Sequence, residues 1–398
     1  MTIHFQSFLL FHNTHKRRRN LPSYSSIIFR FTLFMFCAVS LSMGLSSCGQ
    51  VQYGEKDQSN FSNTSPRSCA GQYHAKYITG DFAGYASLEH FIDKMVKKHG
   101  FDREYLLGLF SQARRKNWTL SYLAKSDQTL KGKPAAGGWD RYRAKFLDER
   151  HIDAGVDFAR RHRDGLQRAT RQYGVPEEYI LGILAVETTF GSYVGSHRVL
   201  DALTTLSFDY ARRGDYFRDE LENFLLMSRD EGMDPGKPVG SFAGAMGLSQ
   251  FMPSSFLQWA VDFNGDGRRD LWNAEDAIGS VANYLAQHGW QPGQPVITPL
   301  STKKTVDLEP GIEPRYSLAD LQQAGLHPSG PCTPGEPLSL LLLRYQNHDQ
   351  YLIGHPNFYT ITRYNHSIYY AMAVRELGQA IKRRLQSEAI SYSGKSNQ

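Results

Sequence analysis

The sequence predicts a mainly α protein of the α+β class, in which a small β-rich module interrupts a series of helices. Apolar residues recur at helical spacing through residues 70–290, and short β-prone runs separated by Pro and Gly fill residues 291–362. The helical pattern returns over residues 363–390. A composition of 41% hydrophobic and 21% charged residues is that of a globular protein. A length of 398 residues allows two or three domains.

Residues 1–47 predict an export signal. The basic stretch HKRRRN is followed by an apolar run from Phe31 to Leu45 and then by LSSC, which ends at Cys48. A basic region, a short apolar region and small residues before a cleavage site are typical of such signals. The run is shorter than the roughly 20 residues that span a bilayer. Cys48 resembles the cysteine that becomes the acylated N-terminus of bacterial lipoproteins. The alternative is an uncleaved signal anchor in which Cys48 has no role.

Acylation of Cys48 would hold the protein on a membrane, because two or more acyl signals anchor a protein stably. Gly49 rather than Asp follows the cysteine, and in lipoproteins of this type that choice implies the outer membrane. We therefore expect the protein at the periplasmic face of the outer membrane of a Gram-negative bacterium. Residues 48–69 are polar and rich in Ser and Asn, a composition that predicts a flexible tether.

Charge and cysteine content limit the classes of partner. The formal net charge is +6, but the residues before Cys48 include five basic and no acidic ones, so the rest of the chain is nearly neutral at +1. This balance offers no electrostatic surface for nucleic acid, and we exclude that partner. Of the four cysteines, Cys37 lies in the signal. Cys69 and Cys332 are left either as a periplasmic disulfide or as two unpaired thiols.

Residues 70–170 predict a helical domain. The segment SLEHFIDKMVKKHG has apolar residues at helical spacing and ends at Gly100. REYLLGLFSQAR and AGVDFARRHRDGLQRATRQYG repeat this pattern, and a Gly- and Ala-rich break in GKPAAGGWDRYRAKF separates them. The apolar face of the first helix consists of Leu88, Phe91, Ile92 and Met95.

Residues 171–290 are predicted to form the core of the protein. One glutamate in this segment lies on an apolar helix face. Pro176 and the two acids after it favour a helix start. Positions i, i+3, i+4 and i+7 of that helix are occupied by Ile180, Ile183, Leu184 and Glu187, which therefore lie on one face. Burial disfavours an ionised carboxylate and raises its pKa towards neutrality, where the carboxyl can act as a general acid. The alternative is that Glu187 ends its helix near the surface or pairs with an arginine.

Four segments together resemble the membrane-bound lytic murein transglycosylase B family: ILAVETTFGSYVG, GSFAGAMGLSQFMPSSF, DFNGDGRRDLWNAEDAIGSVANYLAQHGW and NFYTITRYNHS. They follow one order over about residues 75–385. The resemblance implies a lysozyme-like helical catalytic core at 171–290, preceded by the N-terminal helical domain. It also implies that the β-rich module at 291–362 is an insertion and that a C-terminal helix at 363–390 packs back on the helical part.

The resemblance implies a specific activity. The family cleaves the β-1,4 bond between N-acetylmuramic acid and N-acetylglucosamine of peptidoglycan without adding water. The matched Glu187 would act first as acid and then as base, while the C6 hydroxyl of the muramic acid closes on C1 to give a 1,6-anhydro end. No cofactor is expected for this catalysis. The alternatives are a water-using muramidase, which would need a second carboxyl group, and a non-catalytic peptidoglycan-binding lipoprotein.

The resemblance also implies substrate-binding positions. Ser241 and Asn365 would form hydrogen bonds near Glu187 or the N-acetyl group, and Gln250 and three tyrosines would line the sugar-binding walls. The alternative for each tyrosine is core packing. Peptidoglycan glycan strands and, through the lipid anchor, the membrane are the expected partners; cell-wall synthases are candidates, and we expect a monomer. The three tyrosines are Tyr142, Tyr284 and Tyr364.

The stretch DFNGDGRRDLWNAED begins as an EF-hand loop does, with oxygen-bearing side chains at positions 1, 3 and 5 and a glycine at position 6. We expect a structural Ca²⁺ (or Na⁺) here. Asn273 stands at position 12, where the standard loop has glutamate. The family's longer loop is closed by an aspartate, which matches Asp276, and the carbonyl of Arg268 would serve at position 7. The alternative is an Asx-rich turn without metal. The four opening residues are Asp262, Asn264, Asp266 and Gly267.

Overall fold

The computed structural model describes residues 73–129, 135–302, 306–332, 335 and 337–395. The predicted signal, lipidation site and tether lie outside the described residues, as does one of the two cysteines considered for a disulfide. No helix in these ranges combines the length and the apolar character that crossing a bilayer requires.

The described residues form fourteen α-helices and six short strands, which confirms the predicted mainly α fold. The helices are α1 (Ala86–His99), α2 (Arg103–Ser111), α3 (Asn117–Thr129), α4 (Gly138–Arg143), α5 (Glu149–Arg161), α6 (Arg163–Tyr173), α7 (Glu177–Thr188), α8 (Val199–Asp209), α9 (Gly214–Asp230), α10 (Pro253–Trp259), α11 (Ala274–Gln287), α12 (Leu318–Gln323), α13 (Pro356–Tyr364) and α14 (Ile368–Lys395). The strands are β1 (His197–Arg198), β2 (Val239–Gly240), β3 (Ile297–Ser301), β4 (His327–Pro328), β5 (Ser339–Arg344) and β6 (Asp349–Gly354).

Helix α1 has the buried face and the glycine end that its sequence pattern predicts. Its four apolar positions are all buried, as their spacing predicts. Gly100 follows the helix with a left-handed φ of 68°, and its N–H donates to the carbonyls of the last turn. A glycine in this conformation is a common end of a helix because it lacks a Cβ. The N-terminal helices share one hydrophobic core with the segment that carries Glu187.

Helix α7 is buried along nearly its whole length, and α14 packs against it at close range. Gly182 makes this approach possible, because a Cβ at that position would lie 2.2 Å from the carbonyl oxygen of Val374. The C-terminal helix also packs against α5. The first turns of α14 are thereby brought to the end of α7, where Glu187 lies.

The β-rich module is an antiparallel four-stranded sheet with the order β4-β3-β6-β5. Alternate residues of β5 face opposite sides, as the period of a strand requires. Leu340 belongs to a small cluster with Leu321 of α12. Leu341 and Leu343 belong to the main core instead. The sheet therefore has a hydrophobic cluster of its own on one side and the helical core on the other.

The prediction that the β-rich module runs to residue 362 is wrong at its end, because α13 occupies residues 356–364. The run NFYTITRYN is rich in β-branched and aromatic residues, which favour strands. Pro356 at the first helical turn favours a helix start instead. The hydroxyls of Thr360 and Thr362 donate to carbonyls of their own helix. Phe358 and Ile361 are buried three residues apart on one face, so packing overrides the local preference.

Candidate active site

Glu187 lies in the last turn of α7, next to a backbone that leaves the helix abruptly. Thr189 and Phe190 adopt left-handed φ angles of 49° and 57°. Their N–H groups donate to the carbonyls of Ala185 and Leu184, which closes the helix end. Within the described ranges only one other residue that is not glycine has such a φ, and it is Gln250 of the neighbouring loop. Strained backbone of this kind concentrates at functional sites.

The Glu187 carboxyl is positioned by a tyrosine that arrives from the far end of the chain. The Tyr370 hydroxyl donates a hydrogen bond of 2.6 Å to Glu187 Oε1. Tyr370 is fully buried, and burial together with the neighbouring negative charge raises its pKa well above the usual value. The hydroxyl therefore stays protonated and can keep donating. The predicted alternative, pairing of Glu187 with an arginine, is not the arrangement that the structure has.

Burial raises the pKa of Glu187 from 4.5 to about 7, and the hydrogen bond from Tyr370 acts in the opposite direction. The side chain is only half-buried as a residue, but protein atoms surround its carboxyl group. A carboxyl in this state is roughly half protonated at neutral pH and can both give and take a proton. The arrangement can therefore serve general acid–base chemistry.

The loop of residues 241–252 forms a second wall beside the end of α7. The Thr188 hydroxyl donates to the Leu248 carbonyl at 2.9 Å and accepts from the Gly191 N–H at 2.9 Å. The Gln250 side-chain amide donates to the carbonyls of Val194 and Gly247 at 3.1 and 3.0 Å. These bonds fix the loop to the segment that follows Glu187.

The Ser241 side chain forms hydrogen bonds within its own turn. Its hydroxyl accepts from the N–H groups of Ala243 and Ala245 at 3.3 and 3.0 Å, and its backbone N–H donates to the Ala245 carbonyl. This turn starts the 241–252 loop. The predicted hydrogen bond of Ser241 near Glu187 stays a prediction, and so does the sugar contact of Gln250.

Two of the three predicted tyrosines are buried, and their hydroxyls donate hydrogen bonds to backbone carbonyls. Tyr364 donates to the Ser249 carbonyl at 2.5 Å, and Tyr284 donates to the Arg363 carbonyl at 2.6 Å. Burial raises the pKa of both, and the charge of Glu187 adds to the effect at Tyr364. Asn365 is also buried, at the end of α13.

Tyr142 of α4 is half-buried and packs beside Trp139 and Tyr369 with ring centroids 6.3 and 5.7 Å away. Burial raises the pKa of Tyr142 well above its usual value, and the charge of Glu187 raises it further. Of the predicted tyrosines, Tyr142 and Tyr364 are thus close enough to Glu187 to be affected by its charge. The role of each as a sugar-binding ring stays a prediction.

The predicted cation loop is a closed turn. The Asp262 carboxylate accepts from the N–H groups of Gly265, Asp266 and Gly267 at 2.7 to 3.1 Å. The Asn264 side-chain oxygen accepts from the Asp266 N–H at 2.9 Å, and Asp266 accepts from the Arg268 N–H at 2.9 Å. No three His, Cys, Asp or Glu side chains converge as a metal site in the described part of the chain. A cation here would thus rely on amide and carbonyl oxygens beside the carboxylates.

Asp276 closes the loop from the first turn of α11. Its carboxylate is fully buried and accepts from the N–H groups of Phe263, Asn264 and Asp270 at 2.8, 3.0 and 2.8 Å. Asp276 therefore ties both ends of the loop to the core of the protein. The sequence assigned Asp276 only as a metal ligand, and its role in holding the backbone was missed.

A buried carboxyl with a pKa of about 7, held by a tyrosine in a mainly helical protein, is the arrangement of an enzyme that uses acid–base catalysis. Comparison with known proteins agrees with this class. Residues 84–379 match the transglycosylase SLT domain family, and this chain belongs to that family. It is a lytic transglycosylase, as the resemblance predicted.

The chain is 50% identical to membrane-bound lytic murein transglycosylase B of Escherichia coli (strain K12) over 313 residues, which cover 78% of this chain and 86% of that protein. The structure of Escherichia coli lytic transglycosylase Slt35 in complex with calcium is similar with a TM-score of 0.74 and 50% identity, covering 78% of this chain and 96% of the other. SltB3 from Pseudomonas aeruginosa in complex with NAG-anhNAM-pentapeptide gives a TM-score of 0.64 and 27% identity, with coverages of 75% and 79%.

Proposed function

We propose that this lytic transglycosylase cleaves the β-1,4 bond between N-acetylmuramic acid and N-acetylglucosamine of peptidoglycan and leaves 1,6-anhydromuramic ends. The observation that carries the proposal is the Glu187 carboxyl, whose pKa is about 7 and whose Oε1 is held by Tyr370. The names of the relatives support the substrate, since one acts on murein and another was solved with an anhydro-muramic sugar bound.

In the first step Glu187 acts as the acid. The protonated carboxyl gives its proton to the glycosidic oxygen, the bond from C1 of the muramic acid to that oxygen breaks, and positive charge develops at C1. Tyr370 holds Oε1 of the carboxyl, so Oε2 would be the oxygen that carries the proton to the sugar bond. Protonation at neutral pH is possible because the pKa is raised by burial.

In the second step the Glu187 carboxylate acts as the base. It takes the proton from the C6 hydroxyl of the same muramic acid, and O6 forms a bond with C1. The proton count of the enzyme is then restored, and no water enters the product. The hydrogen bond from Tyr370 stabilises the carboxylate between the two steps, since a donor to a charged group is worth more than one to a neutral group.

A single carboxyl fits this reaction better than it fits hydrolysis. A glycosidase that uses water needs two carboxyl groups, about 5 to 9.5 Å apart. Burial raises the pKa of Glu187 and the hydrogen bond from Tyr370 opposes it, so no second acid is needed to explain the shift. This favours the substrate's own hydroxyl as the nucleophile.

Product analysis tests the proposal. Purified sacculi are digested with the full protein, and the released sugars are weighed before and after treatment with borohydride. We expect ends that are lighter by one water and that resist reduction, because a 1,6-anhydro ring has no free aldehyde. Ordinary ends that borohydride reduces would indicate a water-using muramidase and overturn the proposal.

We propose that Ser241, Gln250, Tyr142, Tyr284, Tyr364 and Asn365 bind the glycan around Glu187. Tyr142 is the best placed of the aromatic residues, since its ring is half-buried and Glu187 affects its pKa. Tyr284 and Tyr364 are more than nine-tenths buried, so they would lie beneath the bound sugars. Gln250 and Ser241 are both partly accessible on the loop that faces the catalytic helix.

Tyr370→Phe tests the proposed positioning of the acid. Removing the hydroxyl removes a hydrogen bond that lowers the pKa of Glu187, so this pKa should rise. The pH at which kcat/KM begins to fall should therefore rise by about half to one unit. We also expect a several-fold lower rate at acidic pH, because the carboxyl loses its fixed orientation. The measurement is the pH profile of sacculus digestion. Tyr369→Phe is the matched control, and an equal shift in both variants would contradict the role of Tyr370.

We propose that the loop of residues 262–276 binds a structural Ca²⁺ (or Na⁺) through Asp262, Asn264, Asp266 and the Arg268 carbonyl, with Asp276 closing the site. Alternating hard oxygen groups suit such a cation, and a structural relative was solved in complex with calcium. The ion would hold the loop against α11. Acid–base catalysis by Glu187 needs no metal, so we assign the ion no chemical role.

Asp262→Ala tests the cation. The wild type should melt at a higher temperature in Ca²⁺ than in chelator, by the equivalent of about 2.7 kcal/mol when the ion is at 100 times its Kd. The variant should show no Ca²⁺ dependence, because it loses the first ligand. Asp307→Ala, a change at an exposed acid elsewhere, should behave as the wild type does. A wild-type melting temperature that is the same with and without chelator would contradict the cation.

We propose that the protein is anchored through Cys48 at the periplasmic face of the outer membrane and acts there as a monomer on glycan strands. The relative from Escherichia coli is named as membrane-bound, which supports a membrane location. Cell-wall synthases are candidate partners. A disulfide between Cys69 and Cys332 and two unpaired thiols stay the two alternatives; the Cys332 thiol is partly buried beside Thr298, and burial raises its pKa.

A further inference from the structure

A group of four aromatic rings, of which Trp118 is exposed, lies on segments that are connected to the active site. Trp118 of α3 is 56% exposed. Its ring is nearly parallel to that of Tyr122, with centroids 5.3 Å apart at 14°, and to that of His197, at 5.9 Å and 21°. Phe242 meets both Trp118 and Tyr122 edge-on, at 6.0 and 5.3 Å. We call these four residues the aromatic platform.

The platform keeps ring surface open to solvent. Parallel rings with centroids this far apart are offset, so each covers only part of its neighbour. Phe242 is buried and supports the other rings from the protein side. Burial and then the charge of Lys116 lower the pKa of His197, so its imidazole is neutral at neutral pH. A tryptophan exposed to this degree does not add to the core, and aromatic residues kept at the surface often mark binding sites.

The platform is continuous with the active site through two segments. The chain that leaves Glu187 reaches His197 ten residues later, in β1, and His197 pairs with Gly240 of β2. A Cβ at Gly195 would lie 2.0 Å from the Gly240 carbonyl oxygen, so the two segments are in direct contact. Phe242 then follows Ser241, the first residue of the loop beside Glu187. The segment that follows Glu187 and the loop that starts at Ser241 therefore both lead to these rings.

We propose that the aromatic platform binds a sugar ring of the glycan strand away from the bond that is cleaved. The C–H faces of a pyranose are apolar and flat enough to lie on Trp118 and Tyr122, and rigid aromatic residues give contact area at a low cost in conformational entropy. The polymer would pass Glu187 and continue onto the platform. This inference rests on the proposed function for the identity of the ligand.

Binding to sacculi tests the platform without turnover. In protein that carries Glu187→Gln, so that the polymer is not digested, Trp118→Ala should weaken cosedimentation with purified sacculi about tenfold, the effect of losing one well-placed aromatic contact. Trp118→Phe should recover most of the binding. Tyr77→Ala removes another exposed aromatic residue, at 71% exposure, and should leave binding unchanged. Thermal melting confirms that each variant is folded.

Three results separate the possible outcomes. With Glu187 intact, Trp118→Ala should lower kcat/KM on long glycan strands and leave cleavage of the shortest substrate unchanged, because a short chain ends before the platform. Equal binding of Trp118→Ala and its parent, or an equal loss in Tyr77→Ala, would overturn the platform. A wild type that yields no anhydro ends while Trp118→Ala still loses affinity would overturn the proposed function and support the platform.

Discussion

Replacing Glu187 with glutamine is expected to abolish the release of anhydro-ended sugars from sacculi while leaving the fold and the binding of sacculi intact. The amide has nearly the shape of the carboxyl, and its oxygen can accept the same hydrogen bond from Tyr370. It cannot give a proton to the glycosidic oxygen or take one from the C6 hydroxyl. Loss of general acid–base catalysis costs about 10² to 10⁴ in rate for one proton transfer, and this reaction has two.

The wild-type pH profile supplies a second test of Glu187. With a pKa of about 7 in the free enzyme, kcat/KM should be level below about pH 6 and fall tenfold per pH unit above about pH 8. One group serves as both acid and base, so no second carboxylate should produce an acidic limb between pH 4.5 and 6. A bell-shaped profile with a lower limb in that range would point to two carboxyl groups and to hydrolysis.

The stability of Glu187→Gln should also depend on pH in a defined direction. The folded-state pKa of about 7 lies above the ordinary 4.5, so the wild type binds its proton more tightly when folded. Its fold loses stability as pH rises from about 4.5 through 7, and the full loss is present above that range. Glutamine has no such cost. The melting temperature of the variant relative to the wild type should therefore rise over this range and then level off, and a fall would contradict the buried acid.

The position of Glu187 could be predicted because it depends on neighbours in the chain. Helical spacing placed the carboxyl on the apolar stripe of α7, and a residue on that stripe had to face the core. The turn at Gly267, with a left-handed φ of 89°, was equally local. Tyr370 could not be found this way, since it lies 183 residues from Glu187. Only the packing of α14 against α7 brings the two together, and spacing carries no information about that contact.

The same limit explains what was wrong or missed elsewhere. Residues 357–362 favour a strand when judged by their own side chains, and the helix α13 forms because its buried face packs on the core. Trp118 was not singled out, because an exposed and a buried tryptophan look alike in a sequence. Its neighbours His197 and Phe242 come from segments about 80 and 124 residues away. Local chemistry was therefore predictable, and long-range partners were not.

Replacing Asp276 with alanine is expected to lower the free energy of unfolding by roughly 3 to 5 kcal/mol, since three backbone donors lose their acceptor and each buried unpaired donor costs about 1 to 3 kcal/mol. The donors are the N–H groups of Phe263, Asn264 and Asp270, and only some of them can turn to water. The loss should persist in chelator, because these bonds join protein to protein, and it should be larger in Ca²⁺, where the variant also loses the aspartate that closes the cation site. Chemical denaturation in both conditions measures it.

Asp276→Asn and Asp262→Ala are the matched controls that separate the two functions of the loop. The asparagine keeps one acceptor oxygen for the two donors that Oδ1 serves, so it should lose less stability than the alanine. Asp262 accepts hydrogen bonds at the exposed end of the loop, where water can replace its carboxylate. Asp262→Ala should therefore lower the free energy of unfolding only when the cation is present. If Asp276→Ala were as stable as the wild type in chelator, the carboxylate would be a ligand alone. The loop would then owe its shape to the ion and not to the buried aspartate.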